Sequence, residues 1–488
     1  MACTSSDAIL WRSRHLMTMA RSHHYLQRIS FTNCSASSNQ VTTLARQLRV
    51  VDYFTLGWGT MVGVGWLVVM DDWLLRGGVL GGVVGFAIGG ALLLPIGYVY
   101  GQLVSAMPDA SGEVAYTAQV FPRGVSYATG WMMLLAYFIV CPWEAVAIGR
   151  IGAYIFPILN SIPLYQIGGR AVFLPRLVVG LALTALLTML NYRGIRLAAS
   201  FQNWTAFGTL ALFVIFVSFG ASRGSAGNLP PLFTHSKFVS IFLVLQIVPY
   251  FMTGYESVGK AAEEANPEFG RGGFFIAIAM AIVVGIAFYC TIIAAVAYAA
   301  PWRQLIGTNF LTAAAFQRAT GSQWIVRLIL AAALLSLVKC FNGNFVASSR
   351  LFFAMSRRGM LSAKFSEVHP VNHTPSTAVI CVGIATAVCM FLGDAILVPI
   401  SEVGSVASAI GWLAACAGYL RIAQRPTGRL IAVIGACVAS AMVLMKVIPG
   451  IPGNFHSYEW LALSIWIVLG VALLRRGTEV GLQGAGIN

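Results

Sequence analysis

Charged side chains are scarce: Asp, Glu, Lys and Arg make up 10% of the 488 residues, where a soluble globular domain carries about 25%. So few charges cannot cover a water-facing surface. With hydrophobic residues at 58% and a mean hydropathy of +0.79, the solvent is a lipid bilayer. Also lacking are any CxxC pair or metal-ligand spacing and any HExxH, GxSxG or paired-Asp motif. These absences speak against a metal site, a cofactor or an intramembrane enzyme. No apolar h-region precedes Val50, so no secretory leader is expected. Seven of the nine cysteines (Cys141, Cys290, Cys340, Cys381, Cys389, Cys416 and Cys437) fall in apolar runs, where the thiol packs as a small hydrophobe.

What the chain does have is apolar runs of roughly the ~20 residues that a membrane helix needs. About twelve are expected, at 52–70, 79–106, 126–156, 174–191, 200–221, 240–262, 273–299, 323–349, 376–392, 396–420, 429–447 and 458–475. The predicted fold is an all-α polytopic membrane protein, with a permease domain over 51–476 between terminal tails at 1–50 and 477–488. The first tail is polar, rich in Ser, Arg and His, with Asp7 its only acid. Its composition fits a disordered cytoplasmic tail or an organellar transit peptide.

Basic residues set the orientation. Arg12, Arg14, Arg21, Arg28, Arg46 and Arg49 precede the first run, and every second loop after it is basic. Those loops carry Arg193 and Arg196, then Lys260 and Arg271, then Arg350, Arg357, Arg358 and Lys364, then Arg421, Arg425 and Arg429. With Arg475 and Arg476 at the end, the positive-inside rule puts both termini in the cytoplasm; the plasma membrane is the expected location. The net charge of +15 is then an orientation signal, and no nucleic-acid partner is expected, because the charge is spread over loops rather than gathered on one face. Nothing in the pattern sets an oligomeric state.

Two runs are interrupted. In "DYFTLGWGTMVGVGWLVVMDDW" glycines 57, 59, 63 and 65 crowd an apolar helix, each costing ~1 kcal/mol relative to Ala. In "VPYFMTGYESVGKAAEEANPEFG" Thr253-Gly254 breaks the sixth run and Glu256 follows directly. Breaks at corresponding places five spans apart mark the binding site of a transporter built from inverted repeats. The repeats are expected at about 52–221 (spans 1–5) and 240–420 (spans 6–10), with two extra helices over 429–475. An unwound helix at mid-membrane offers free N–H groups on one half and free carbonyls on the other, so a zwitterion fits both. The substrate-binding set read from the breaks is Met61, Val62, Gly63, Val64, Gly65, Tyr250, Phe251, Thr253, Gly254, Tyr255 and Glu256. Gly81, Gly85 and Gly89, at i, i+4 and i+8, are read as helix-packing positions.

"GTMVGVGW" resembles the first-span glycine motif of the amino acid/polyamine/organocation permeases, and "PYFMTGYESVGKAAEEANP" is similar to their sixth-span motif. "YGQLVSAMPDASGEVAYTAQVFP" resembles the loop between their spans 2 and 3, and "FNGNFVASSRLFFAMSRRGMLSAKFSEVHPVNHTP" their span 8 and following loop. The likeness runs in order from about Leu48 to about Tyr419. It implies two inverted five-helix repeats with two added helices, and secondary transport of amino acids or related amines; proton coupling or exchange, independent of sodium, is expected, with protons as the coupling ion. The sixth-span stretch further resembles the branch that exchanges arginine for agmatine, where Tyr250 matches a substrate-gating aromatic and Glu256 a proton-sensitive glutamate. Two departures stand out. Val64 replaces the serine of the usual Gly-Ser-Gly, and Thr209 stands where many proton-coupled members carry a fifth-span lysine.

Ionisable residues at mid-bilayer cost on the order of 3 kcal/mol, so Glu144, Glu256 and Lys339 are candidates for proton coupling. Each has a bland alternative. Glu256 either meets an amine or a proton beside the unwound carbonyls, or simply begins the half-helix after the break. Glu144 is either functional or a structural partner for Lys339 or Arg150. Lys339 either takes the cation position that the resemblance suggests between the first break and span 8, replacing sodium, or snorkels or pairs with Glu144. Glu263 and Glu264 are read as gate or loop salt bridges, and Asp71 and Asp72 as solvated at the outer mouth. Trp66, Tyr137, Phe251 and Tyr255 are either lids or packing. A channel would need a continuous polar lining, and a sensor an output domain.

Overall fold

The computed structural model describes residues 46–266, 270 and 272–474. The expected tail through residue 45 with its four arginines, Arg271, Arg475, Arg476 and the segment 477–488 lie outside the described residues.

The start of the first run is pinned to the end of the sixth. Leu48 bridges Ala265 in parallel, and the Gln47 and Leu48 amides both donate to the Glu264 carbonyl. There α1 (Val50–Met61) begins, with the Asp52 carboxylate accepting the Arg49 N–H at 2.7 Å, one of the orphan donors at a helix start. The backbone leaves the helix at Val62–Val64, resumes as α2 (Gly65–Val68) and continues into α3 (Met70–Ala106). Inside α3, Gly78 at φ 66° turns the chain between the first and second runs. Asp71 and Asp72 therefore sit on the helical end of the first run rather than in a loop.

The third run comprises α5 (Arg123–Phe138) and α6 (Val140–Ile155), after the short α4 (Glu113–Ala118). Next come the strands β1 (Pro163–Ile167) and β2 (Arg170–Phe173), then α7 (Leu174–Arg193) and α8 (Ile195–Arg223). The sixth run is in three pieces, α9 (Lys237–Leu245), α10 (Val248–Met252) and α11 (Ser257–Lys260). It is followed by α12 (Gly273–Ala299), α13 (Leu311–Thr320), α14 (Gln323–Arg357), α15 (Ser376–Cys389), α16 (Leu397–Ile422), α17 (Pro426–Val447) and α18 (Ser457–Leu473). Among the described residues nine helical segments are long and apolar enough to cross a membrane. The first and sixth runs miss that length because they are broken, and α18 because it is short.

Three expectations are corrected. The chain is not all-α: β1 and β2 pair antiparallel, Tyr165 opposite Val172, around Gly168-Gly169, both at positive φ. Such a two-glycine turn between apolar runs is a hairpin signal, because tight hairpin turns require φ > 0. The eighth run extends to Arg357, which moves Arg350 from the expected loop onto the helix, fully buried. Lys260 is likewise helical and fully buried rather than a loop cation.

Gly81, Gly85 and Gly89 do pack. A Cβ at each would lie 2.7–2.9 Å from Ser240, Val244 and Val248 in turn, the same i, i+4, i+8 register on the sixth run. On its other side α3 meets α12, where Gly90 and Gly97 admit Ile286 and Ile282. These contacts hold the second and seventh runs against the broken pair.

Candidate functional site

The two breaks touch. Gly254 takes φ +123°, which only glycine adopts readily, and a Cβ there would stand 2.7 Å from the Met61 nitrogen and 2.8 Å from the Thr60 carbonyl carbon.

Unwinding leaves the last carbonyls of α1 without helical partners, and one face of α14 supplies them. Ser336 donates to the Val62 and Gly63 carbonyls at 3.1 and 2.7 Å, and Asn344 and Cys340 each reach the Thr60 carbonyl at 3.1 Å. The Lys339 ammonium, fully buried, donates to the Val62 carbonyl and lies 4.4 Å from the Trp58 ring centroid. A chain-borne cation thus occupies the carbonyl end of the break and ties the first run to the eighth. The Tyr289 hydroxyl lies 3.3 Å from the Met61 carbonyl and 2.9 Å from that of Phe251.

The opposite, N–H end of the break faces a carboxylate. Glu144 on α6 lies against the Val64 amide and the Cys340 thiol, and a Cβ at Gly63 would come within 2.2 Å of its Oε1. Its Oε2 is buried without a hydrogen-bond partner. Among the described residues it joins no ion pair with Lys339 or Arg150, and Arg150 instead approaches Asp394 at 3.9 Å. Glu256 is not beside the carbonyls. It folds back on its own break, accepting the Thr253 hydroxyl at 2.7 Å and the Gly254 N–H at 3.0 Å, while Thr253 also meets Ser408 at 2.8 Å.

A small central cavity of about 20 Å³, room for about one water, lies between the breaks. Of the sequence-derived residues it gathers Met61, Gly63, Gly65, Tyr250, Phe251, Thr253 and Glu144, and it adds Thr60, Val140, Trp143 and Cys340. Val62, Val64, Gly254, Glu256 and Lys339 act on it through the backbone or from behind. Tyr255 is turned away, stacked on Trp412 at 5.8 Å. Beyond the cavity lies a vestibule of about 240 Å³ lined by Asp71, Asp72, Arg76, Arg150, Arg170 and Glu402 among others. Trp143 and Phe251 border both spaces, so these two rings form the partition. Phe251 is braced edge-on by Trp73 at 4.7 Å and Tyr250 at 5.1 Å.

Towards the face that carries Leu48 the path is closed by ionic layers. Lys260 pairs with Glu113, both fully buried, and the Tyr100 hydroxyl donates to Glu113 at 2.6 Å. Beyond it Tyr53 donates to the Ala261 carbonyl at 2.8 Å, and Arg350 reaches Glu264 at 3.4 Å. Arg357 binds Glu263, and Arg358 binds Asp109 at 2.7 Å. Glu263 and Glu264 thus form salt bridges, to Arg357 and Arg350 respectively. The Lys260–Glu113 pair was missed, although Glu113 stands in the quoted 100–122 stretch, because pairing over 147 positions leaves no local trace.

Asp109 belongs to the loop after α3. Burial raises its carboxyl pKa, but the Ser111 hydrogen bonds and the Arg358 guanidinium outweigh burial and hold it below its ordinary range. A depressed folded value contributes stability that is fully present above the unfolded value of about 3.9 and is lost as pH falls through the folded one. The clamp therefore stays charged at neutral and mildly acidic pH. Asp109→Asn is expected to speed proteolysis of the 107–112 loop at neutral pH, and an unchanged cleavage rate would count against this assignment.

Among the described residues no group of three or more His, Cys, Asp or Glu gathers to hold a metal. The sequence profile described as "Amino acid permease" matches residues 48–473. The chain is 25% identical to the branched-chain amino acid permease BcaP of Bacillus subtilis, over 79% of this chain and 82% of that protein. It is 24% identical to the methylthioribose transporter of the same organism (89% and 94%) and 25% identical to its aspartate-proton symporter (68% and 64%).

Proposed function

Because the chain belongs to the amino acid permease family, whose relatives are transporters and not enzymes, we propose that it is a secondary active transporter moving an amino acid or related amine through the central cavity. The observation that carries this reading is the meeting of two interrupted helices, with N–H groups and carbonyls presented at one point. The broken first and sixth runs and α18 complete twelve spans, arranged as two inverted repeats with two added helices and both termini in the cytoplasm of a plasma-membrane protein. The ionic layers are then the cytoplasmic gate and Trp143 with Phe251 the outer one, so this conformation is closed inward and nearly closed outward. Lys339 fills the cation position at the break, which makes transport sodium-independent. Glu144, Glu256 and Lys339 are the groups available to load a coupling proton, and an aspartate-proton symporter among the relatives favours protons as the coupling ion.

Uptake of labelled leucine, arginine, glutamate, ethanolamine and putrescine into proteoliposomes tests this. Concentrative uptake of at least one, unchanged when choline replaces sodium and collapsed by a protonophore, is expected; single-channel current or sodium dependence overturns it. Exchange of the arginine/agmatine kind is a second reading, favoured by Tyr250 at the cavity wall. Uptake that requires internal substrate would select it.

In Glu256→Gln the amide oxygen can still accept from the Gly254 N–H while its NH2 donates to the Thr253 hydroxyl, which can turn its own proton to Ser408, so the fold persists. Its pH–rate curve is expected to flatten. An unchanged curve leaves proton coupling to Glu144 and Lys339.

A further inference from the structure

We propose that a cavity beside the start of the first span binds the phosphate headgroup of an anionic phospholipid. The cavity, about 500 Å³, lies between α1 and α8 on the face that carries Leu48. Arg46, Arg49 and Arg196 line it together with Ser200, Asn203 and Asn266. Among the described residues none of the three arginines joins an ion pair. Among the described residues Arg46 spends only its Nε, on the Ala265 carbonyl at 3.3 Å. The one carboxylate in the lining, Asp52, is engaged on both oxygens, by the Arg49 N–H at 2.7 Å and the Asn203 side-chain amide at 2.5 Å. Three guanidinium groups against one satisfied carboxylate leave an excess of positive charge and unspent N–H donors, the chemistry that takes up a phosphate.

The surroundings choose the source of that phosphate. Arg196, Ser200, Asn203 and Phe207 recur along one side of α8, and Trp204 and Phe207 carry the stripe out of the cavity at 71% and 47% exposure. Leu197 and Val51 add exposed apolar surface, 49% and 50%, next to the arginines. Trp204 stands nine residues along α8 from Ile195, so with Phe207 it continues from the arginines as an exposed apolar stripe, a track for an acyl chain. A soluble phosphate uses only the arginines, whereas a phospholipid uses both parts. The first 45 residues are themselves basic, with four arginines against Asp7 as their only acid. Basic pockets between membrane helices take lipid headgroups in this way, each cation contributing about 1 kcal/mol.

The test uses the full chain in nanodiscs of phosphatidylcholine with and without phosphatidylglycerol, reading retained lipid by native mass spectrometry and the melting temperature. Wild type is expected to retain phosphatidylglycerol preferentially. Retention should weaken about fivefold for each guanidinium removed in Arg49→Gln and Arg196→Gln, the factor that corresponds to about 1 kcal/mol. Arg49→Lys with Arg196→Lys keeps the charge and should retain the lipid, which separates loss of the site from loss of the fold. Trp204→Ala should weaken phosphatidylglycerol retention as well. Equal retention of the two lipids by wild type, or no change in the Gln double variant, overturns the proposal. Inorganic phosphate that raises the melting temperature in pure phosphatidylcholine as much as phosphatidylglycerol does assigns the cavity to a soluble anion and overturns the lipid. Because no transport is measured, the outcome does not depend on the proposed function.

Discussion

Gly65→Leu is expected to abolish substrate binding and transport while the protein still reaches the membrane. A Cβ at this position alone would lie 2.5 and 2.9 Å from two carbons of the Phe251 ring, and that ring is held edge-on by Trp73 and Tyr250. With the ring unable to retreat, the added side chain must fill the cavity, and overpacking of this kind costs about 1–3 kcal/mol besides. Gly65→Ala should show the same defect in weaker form. Ligand-induced tryptophan fluorescence and proteoliposome uptake measure it. Normal affinity in Gly65→Leu would mean that the glycine serves helix packing and that the substrate binds elsewhere.

Lys339→Met is expected to remove proton coupling and lower stability together. Met keeps most of the buried volume but leaves the Val62 carbonyl with Ser336 as its only side-chain donor, a loss of about 1.5–3 kcal/mol for a hydrogen bond to a charged group. It also leaves the Glu144 carboxylate without its nearby countercharge. Exchange of substrate down its own gradient should persist at reduced rate, while accumulation driven by a pH gradient should vanish. If sodium now stimulates the variant, the ammonium had been standing in a cation's place. Retained proton-driven accumulation would reduce Lys339 to a structural tie.

The breaks were legible because an apolar helix with Gly63, Gly65 and Gly254 in its interior has no local reason to form. Glycine there is informative on its own, and where each Cβ would stand the structure puts the Glu144 carboxylate (Gly63), the Phe251 ring (Gly65) or the Thr60–Met61 backbone (Gly254). The role of Glu256 was less legible. Its nearness to the break is local, but which end of the break it serves depends on how Thr253 and Gly254 turn, and they turn their donors towards it. The cradle from α14 was partly visible, since a lysine in mid-span needs a reason, yet its partners lie 277 positions away. The buried Lys260 and Arg350 were misplaced because charge near a span end reads as loop until the carboxylates opposite are known. The hairpin at 163–173 was overlooked because a search for long apolar runs passes over short strands between them.

Ser336, Lys339, Cys340 and Asn344 project from a single continuous helix onto three carbonyls, Thr60 in the last turn of α1 and Val62 and Gly63 in the break that follows. A rigid comb of this kind cannot be peeled tooth by tooth. Any swing of α1 away from α14 must give up these five hydrogen bonds nearly together, and at about 1 kcal/mol each the combined barrier is about 5 kcal/mol. That slows the step by roughly five-thousandfold relative to an unlatched hinge. Turnover should therefore rise steeply with temperature, and each tooth removed should flatten that dependence, so the same contacts that build the site also time its cycle.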